Sequence, residues 1–364
     1  MSALSQQNNK RIAKNTLLLY FRMLFSMGIG LFTSRIVLES LGIEDYGIYN
    51  LVGGIVTIFA FLNSAMIATS QRFISYELGK GNLHKLKDVF CTTLTIHIAI
   101  AFIIVVLSEV IGVWFLNTKL NIPSDRMMAA NWTLQLSIFV FAVNVISVPY
   151  NASIVAHEKM SAFAYISIFE VSLKLAIAYL LLFISYDKLI VYSILVFCVA
   201  LLLRSLYCFY CKRHFEECHY TFSFNIEQFR EMFAFAGWSL VGNLGFSFKD
   251  QLSNILLNLF FGTVVNAARG ISVQVGSLIN SFSANFMMAM NPQITKSYAV
   301  GDLYRSKELV YAGCRFSFYL LAVISLPIMI NITYNIKFMV GRSSTIYGYF
   351  SDINDCMQSF VCYI

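Results

Sequence analysis

The residues here whose types could do chemistry are charges set inside long apolar runs. Arg22, Lys174, Lys249, Arg269 and Arg315 each interrupt a stretch apolar enough to cross a membrane, and Glu109, Glu170, Arg204, Asp250 and His97 do the same. An ionisable group at that depth is costly unless it faces protein or water. A mainly cationic set suits an anionic ligand. Guanidinium suits phosphate best, because it is a planar donor fork that stays charged. For each cation two readings stand: substrate contact, or a structural pair or snorkelled side chain. Glu170 and Lys174 are four residues apart and share a helix face. They predict an internal ion pair, or a cavity-facing lysine tuned by the glutamate. Lys249 and Asp250 are adjacent, about 100° apart on a helix, so one of the two is expected to face the interior.

Other chemistries find no residues. The sequence has no nucleophile elbow, phosphate-binding glycine loop or paired-carboxylate loop. Cys208, Cys211 and Cys218, with His214 and His219, do not have the spacing of a common zinc site. His97 is alone in an apolar helix and reads as a helix–helix hydrogen bond. No cofactor, no metal and no enzyme activity are expected.

The elements that must position the charges are membrane helices. Apolar residues make up 58% of the chain, charged residues 12%, and mean hydropathy is +0.69. Soluble domains carry about 25% charge. The expected fold is therefore an all-α integral membrane bundle. Nine spans are predicted, at 15–41, 46–72, 88–116, 127–151, 161–185, 188–211, 236–261, 264–292 and 308–331. Asp88 is expected to cap the third, and Pro149 to sit near the end of the fourth. The polar N-terminus predicts an uncleaved first helix. Fourteen Lys and Arg fall in the loops of one side and three (Lys119, Arg126 and Lys188) in those of the other, which predicts a cytoplasmic N-terminus. The net charge of +7 follows from the same loops and gives no reason to expect nucleic acid.

The first hairpin is written twice. Gly42 falls on Gly262, Ile74 on Ile294, Gly81 on Gly301, Leu83 on Leu303 and Lys87 on Lys307, an offset of 220 residues without a gap. Two related lobes are implied, and transporters place substrate where such repeats meet. The expected organisation is a six-helix lobe over 1–211, a cytoplasmic or interfacial linker over 212–235, a partial second lobe of three helices over 236–331, and an atypical tail over 332–364. In the linker, Asn225 and Gln228 form a plausible helix cap. Ile226, Phe229 and Phe233 would share one face, of a surface helix or of the first turns of the seventh span. The repeat predicts three further helices where the tail loses its apolar periodicity, so a shortened or frame-shifted chain is expected.

The stretches LGIEDYGIYNLVGG and NPQITKSYAVGD resemble bacterial polysaccharide-export flippases, the O-antigen and repeat-unit translocases. Their superfamily also holds multidrug and toxin extruders and lipid II flippases. The resemblance covers roughly residues 10–330. It implies a MATE-like bundle of two six-helix lobes around a V-shaped cavity, with the second lobe here apparently truncated. It implies a substrate, an undecaprenyl-diphosphate-linked oligosaccharide, carried from the inner to the outer leaflet of the bacterial inner membrane for lipopolysaccharide-type polymers, with a coupling cation as a possible partner. It places Arg22, Lys249 and Arg269 in cavity-lining helices. The competing readings are a cation-coupled drug extruder of the same superfamily, a membrane glycan polymerase or ligase, and an inactive fragment. Short outer loops argue against the polymerase, and the cationic set argues against a cationic drug.

Overall fold

The computed structural model describes residues 3–57, 59–120, 122–221 and 226–330. The expected tail over 332–364 lies outside them, as do Asn225 and the side chain of Arg269. Among the described residues every regular element is a helix. In chain order they are α1 (Ala3–Thr57), α2 (Ala60–Lys80), α3 (Leu83–Leu107), a π turn (Ser108–Gly112), α4 (Val113–Thr118), α5 (Met127–Ala156), α6 (Met160–Leu180) and α7 (Lys188–His214). A short 3-10 turn (Glu216–Cys218), α8 (Ile226–Ala299) and α9 (Leu303–Ile330) follow.

Six of these helices are long and apolar enough to cross a membrane: Asn9–Val56, Leu83–Thr118, Met127–Ala156, Met160–Leu180, Lys188–His214 and Leu303–Pro327. The stretch expected to span at 46–72 is in two pieces, the end of α1 and then α2. Gly42 kinks α1 at φ 80° and ψ 169°, a region that a Cβ strongly disfavours. The expected spans 236–261 and 264–292 both fall inside α8.

The chain forms two compact units. The first holds Met1–Asn243 and Asn291–Ser306; the second holds Leu244–Met290 and Lys307–Ile364. Both ends of α8 thus pack in the first unit, so this helix cannot be straight.

In the first unit α5 is the central helix, touching α1, α2, α3, α6 and α7. Its sequence is apolar all round, as a helix surrounded by helices requires. Pro149 lies inside it and not at its end, since α5 continues to Ala156. The Ser153 hydroxyl donates to the Pro149 carbonyl at 3.0 Å. One core, with Phe90, Tyr150, Ile154 and Cys211, joins α3, α5 and α7 near the end where the loop after α7 lies. A second, with Val52, Leu116, Leu134 and Ile138, fills the opposite end. The start of α8 joins this unit directly. Met232 and Ala236, with Phe229, pack on Met66 and Ile96, so this segment is the first turns of α8. Phe229 and Phe233 share a face as expected, stacking with centroids 5.7 Å apart; Ile226 and Phe233 are exposed, while Met232 and Ala236 occupy the inward positions.

In the second unit α8 and α9 pack closely where Gly313 lacks a side chain. A Cβ there would meet the Met287 sulfur at 3.3 Å. Phe286 and Phe316 meet edge to face beside it, with centroids 6.1 Å apart.

The repeat is visible in backbone detail. Gly81 and Gly301 both end a helix in the left-handed region, at φ 72° and 81°. The residue after each caps the next helix through its side chain. Asn82 Oδ1 accepts from the Lys85 N–H at 3.1 Å, and Asp302 Oδ1 from the Arg305 N–H at 2.9 Å. The third span therefore starts at Leu83 with Asn82 as its cap. Asp88 is a residue of the helix interior.

Candidate functional site

Contacts identify the two ends of the first unit. At one end Arg305 Nη2 donates to Asn9 Oδ1 at 2.7 Å, and both the start of α1 and the end of α8 meet the α5–α6 loop. This is the end rich in Lys and Arg, called the basic end below. At the other, Arg126 joins the region after the Gly42 kink to the α6–α7 loop. Its Nε donates to Asp45 Oδ1 and its Nη1 to Asp187 Oδ2, both at 2.8 Å. Asp187 also caps α7, accepting from the Leu189 N–H at 3.1 Å. Burial lowers the Arg126 pKa, and hydrogen bonds with both carboxylates more than reverse this, leaving it raised.

The predicted cations divide between the units. Arg22 and Lys174 come together in the first. Lys174 Nζ donates to Glu170 Oε1 at 2.6 Å, so the internal pair forms. Arg22 lies over the Phe163 ring, 4.8 Å from its centroid, and feels the charge of Glu170 and the phenol of Tyr207. Helices α1, α6 and α7 supply these groups. Two cations and one carboxylate leave this cluster a net charge of +1. Lys249 and Arg315 are in the second unit and are exposed. The Arg315 guanidinium rests 5.7 Å from the centroid of Phe316. His97 Nδ1 donates to the Thr93 carbonyl of its own helix, 2.7 Å away. This replaces the helix–helix bond expected for it.

The sequence reading missed a buried, multiply bonded acid. Glu158, in the α5–α6 loop, is buried, with 2% of its side chain exposed. Lys296 Nζ donates to its Oε1 at 2.6 Å and Gln293 Nε2 to its Oε2 at 2.7 Å. Arg11 Nη1 is 3.6 Å from Oε2, and Asn15 Nδ2 donates to the Glu158 carbonyl at 3.3 Å. Its backbone stands at φ 58°, the only positive φ on a non-glycine residue among those described. That conformation costs an L-residue roughly 1–2 kcal/mol, and surrounding bonds must hold it. The neighbouring His157 stacks on Phe215 at 4.0 Å and pairs with the buried Glu217 at 2.6 Å. A signal was present, since Gln293 and Lys296 belong to NPQITKSYAVGD, a stretch that carries the family resemblance. The acid that meets them is 135 residues or more away, where no spacing rule reaches.

Among the described residues no group of three or more His, Cys, Asp or Glu could hold a metal ion. A groove of about 380 Å³ lies between α6 and α7, lined by Ile166, Leu206, Phe209, Tyr210, Arg213 and His214.

Comparisons with known proteins agree with the geometry. The profile of a family described as polysaccharide biosynthesis protein matches residues 12–298. An uncharacterized membrane protein of Bacillus subtilis (strain 168), EpsK, is 19% identical over 285 residues. That match covers 77% of this chain and 55% of EpsK, so the chain spans little more than half the length of that relative. Three solved structures share the fold. One is a multidrug resistance MATE family transporter of the MOP superfamily in an outward-facing conformation, with TM-score 0.81, 13% identity, and 95% of this chain and 78% of that chain covered. A mutant form of the Vibrio cholerae MATE transporter VcmN gives TM-score 0.78, 15% identity, and coverage of 95% and 78%. A MOP superfamily transporter from Pyrococcus furiosus, described by the reverse polarity of its binding pocket, gives 0.74, 13% identity, and coverage of 93% and 75%.

Proposed function

The chain belongs to the polysaccharide biosynthesis protein family, multi-pass membrane transporters with a MATE-like fold, and we propose that it flips an undecaprenyl-diphosphate-linked oligosaccharide between leaflets. The family match over residues 12–298 carries this reading. The net positive cluster of Arg22, Glu170 and Lys174 within the membrane-spanning region supports an anionic substrate group. Arg22 is the primary diphosphate contact, with Lys174 beside it. Lys249, Arg269 and Arg315 contribute cations from the second half of the chain. The N-terminus and basic end face the cytoplasm of a bacterial inner membrane, and the glycan leaves toward the outer leaflet for an O-antigen or related polymer.

A second reading has its own support. The structural neighbours include multidrug transporters, so a cation-coupled extruder shares the architecture. A cationic drug would meet repulsion from the cluster around Arg22, which favours the glycan lipid.

The test is glycan export in cells lacking their own flippase and expressing this chain. The triple variant Arg22→Ala, Lys249→Ala, Arg269→Ala should insert in the membrane and fail to export. Undiminished export by an inserted triple variant rules out the cationic site. A gain of dye efflux without export would favour the extruder.

A further inference from the structure

We infer that Glu158 is the latch of the basic end: its bonds to Lys296 and Gln293 hold that end closed, and access to the transport path from that side requires them to break. The inference rests on the alternating-access transporter reading above. By sequence, Arg11, Asn15 and Glu158 belong to the first lobe. Gln293 and Lys296 belong to the second copy of the repeat. One carboxylate thus ties the two halves of the chain at the basic end, through Lys296 Nζ at 2.6 Å and Gln293 Nε2 at 2.7 Å.

The chemistry suits a reversible bond. A buried carboxylate is held only because two cations and an amide surround it, and desolvating these charges offsets most of their attraction. If the segment around Lys296 withdraws, water reaches the carboxylate and the ammonium together, so neither is stranded. Apolar packing of the same area would gain nothing from water. His157, locked to Glu217 and stacked on Phe215, fixes the loop on the first lobe, so the bond to Lys296 is the part free to yield. Lys296 sits where α8 crosses α2 closely, against Gly79. Releasing Glu158 therefore acts on that crossing.

The experiment is thiol labelling of the chain in nanodiscs, with reagent at both faces and the native cysteines replaced. One reporter is Ser75→Cys, a buried position one turn before Gly79 on α2. The other is Ser40→Cys, buried near the Gly42 kink at the opposite end. Glu158→Gln and Lys296→Met should each raise labelling at Ser75→Cys roughly tenfold, as loss of one charge-assisted hydrogen bond implies, and leave Ser40→Cys unchanged. Combining them should add little, since both break one bond. Equal rises at both reporters would mean general destabilisation and overturn the latch. So would an unchanged rate at Ser75→Cys, or effects that multiply in the double variant. No substrate is present, so failure of the latch is distinguishable from failure of the flippase reading, which glycan export decides.

Discussion

Gly79 and Ala299 are equivalent positions in the sequence repeat, and they face each other. A Cβ built on Gly79 would lie 3.0 Å from the Ala299 Cβ and 2.8 Å from the Lys296 Cα. The second contact is with backbone, which cannot swing aside. Alanine normally stabilises a helix interior relative to glycine by about 1 kcal/mol. At Gly79 the sign should reverse, because overpacking costs typically about 1–3 kcal/mol. Gly237→Ala is the matched control, since nothing lies within 4 Å of its Cβ position. Thermal unfolding followed by tryptophan fluorescence should show Gly79→Ala melting below wild type and Gly237→Ala at or above it. Equal melting of the two would contradict the close crossing.

Arg126 predicts a second stability effect, at the other end. It bridges Asp45 and Asp187, whose side chains are 17% and 34% exposed. Water screens the pairs in part, so Arg126→Ala should cost about 1–2 kcal/mol, less than a buried network would. Arg126→Lys keeps the charge but cannot reach both carboxylates as a fork, and should recover less than half of that loss. A double-mutant cycle with Asp45→Asn checks the bond itself. A coupling energy of zero would mean that the contact contributes no stability.

Topology is open to a direct check. The loop charges and the contacts among the start of α1, the α5–α6 loop and the α8–α9 turn put the basic end on one side. Cysteine introduced at exposed Lys85 should resist an impermeant thiol reagent in intact cells, while cysteine at exposed Asp125 should react. The opposite pattern would invert the proposed orientation.

Arg22 separates charge from geometry. If it grips a diphosphate, Arg22→Ala should lower substrate affinity about ten- to a hundredfold, as loss of a charge-assisted bond implies. Arg22→Lys should restore only part of it, lacking the bidentate fork. Should Arg22 instead serve only to balance Glu170, then Arg22→Ala with Glu170→Gln would export as well as wild type. Export per inserted molecule distinguishes the outcomes.

The sequence by itself determined that this is a helical membrane protein, because apolar runs of bilayer length have no other use for their backbone polar groups than helices. It also carried the repeat, with Gly81 on Gly301 and Leu83 on Leu303, although the cap expected at Asp88 is made by Asn82 in the fold. Gly81 and Gly301 must adopt the left-handed conformation that ends a helix, and Asn82 and Asp302 must bond the next N–H groups. These are local requirements met within four residues. The pair of Lys174 and Glu170 was legible for the same reason, being one helical turn apart. Tertiary structure decided what crosses between distant segments. It brought Arg22 beside that pair by packing α1 on α6, and it turned Phe233 outward while Met232 took the buried position. Above all it selected Glu158 from among the loop acids. A carboxylate's partners depend on which helix ends converge around it, and Lys296 is 138 residues away in the chain but 2.6 Å away in the fold.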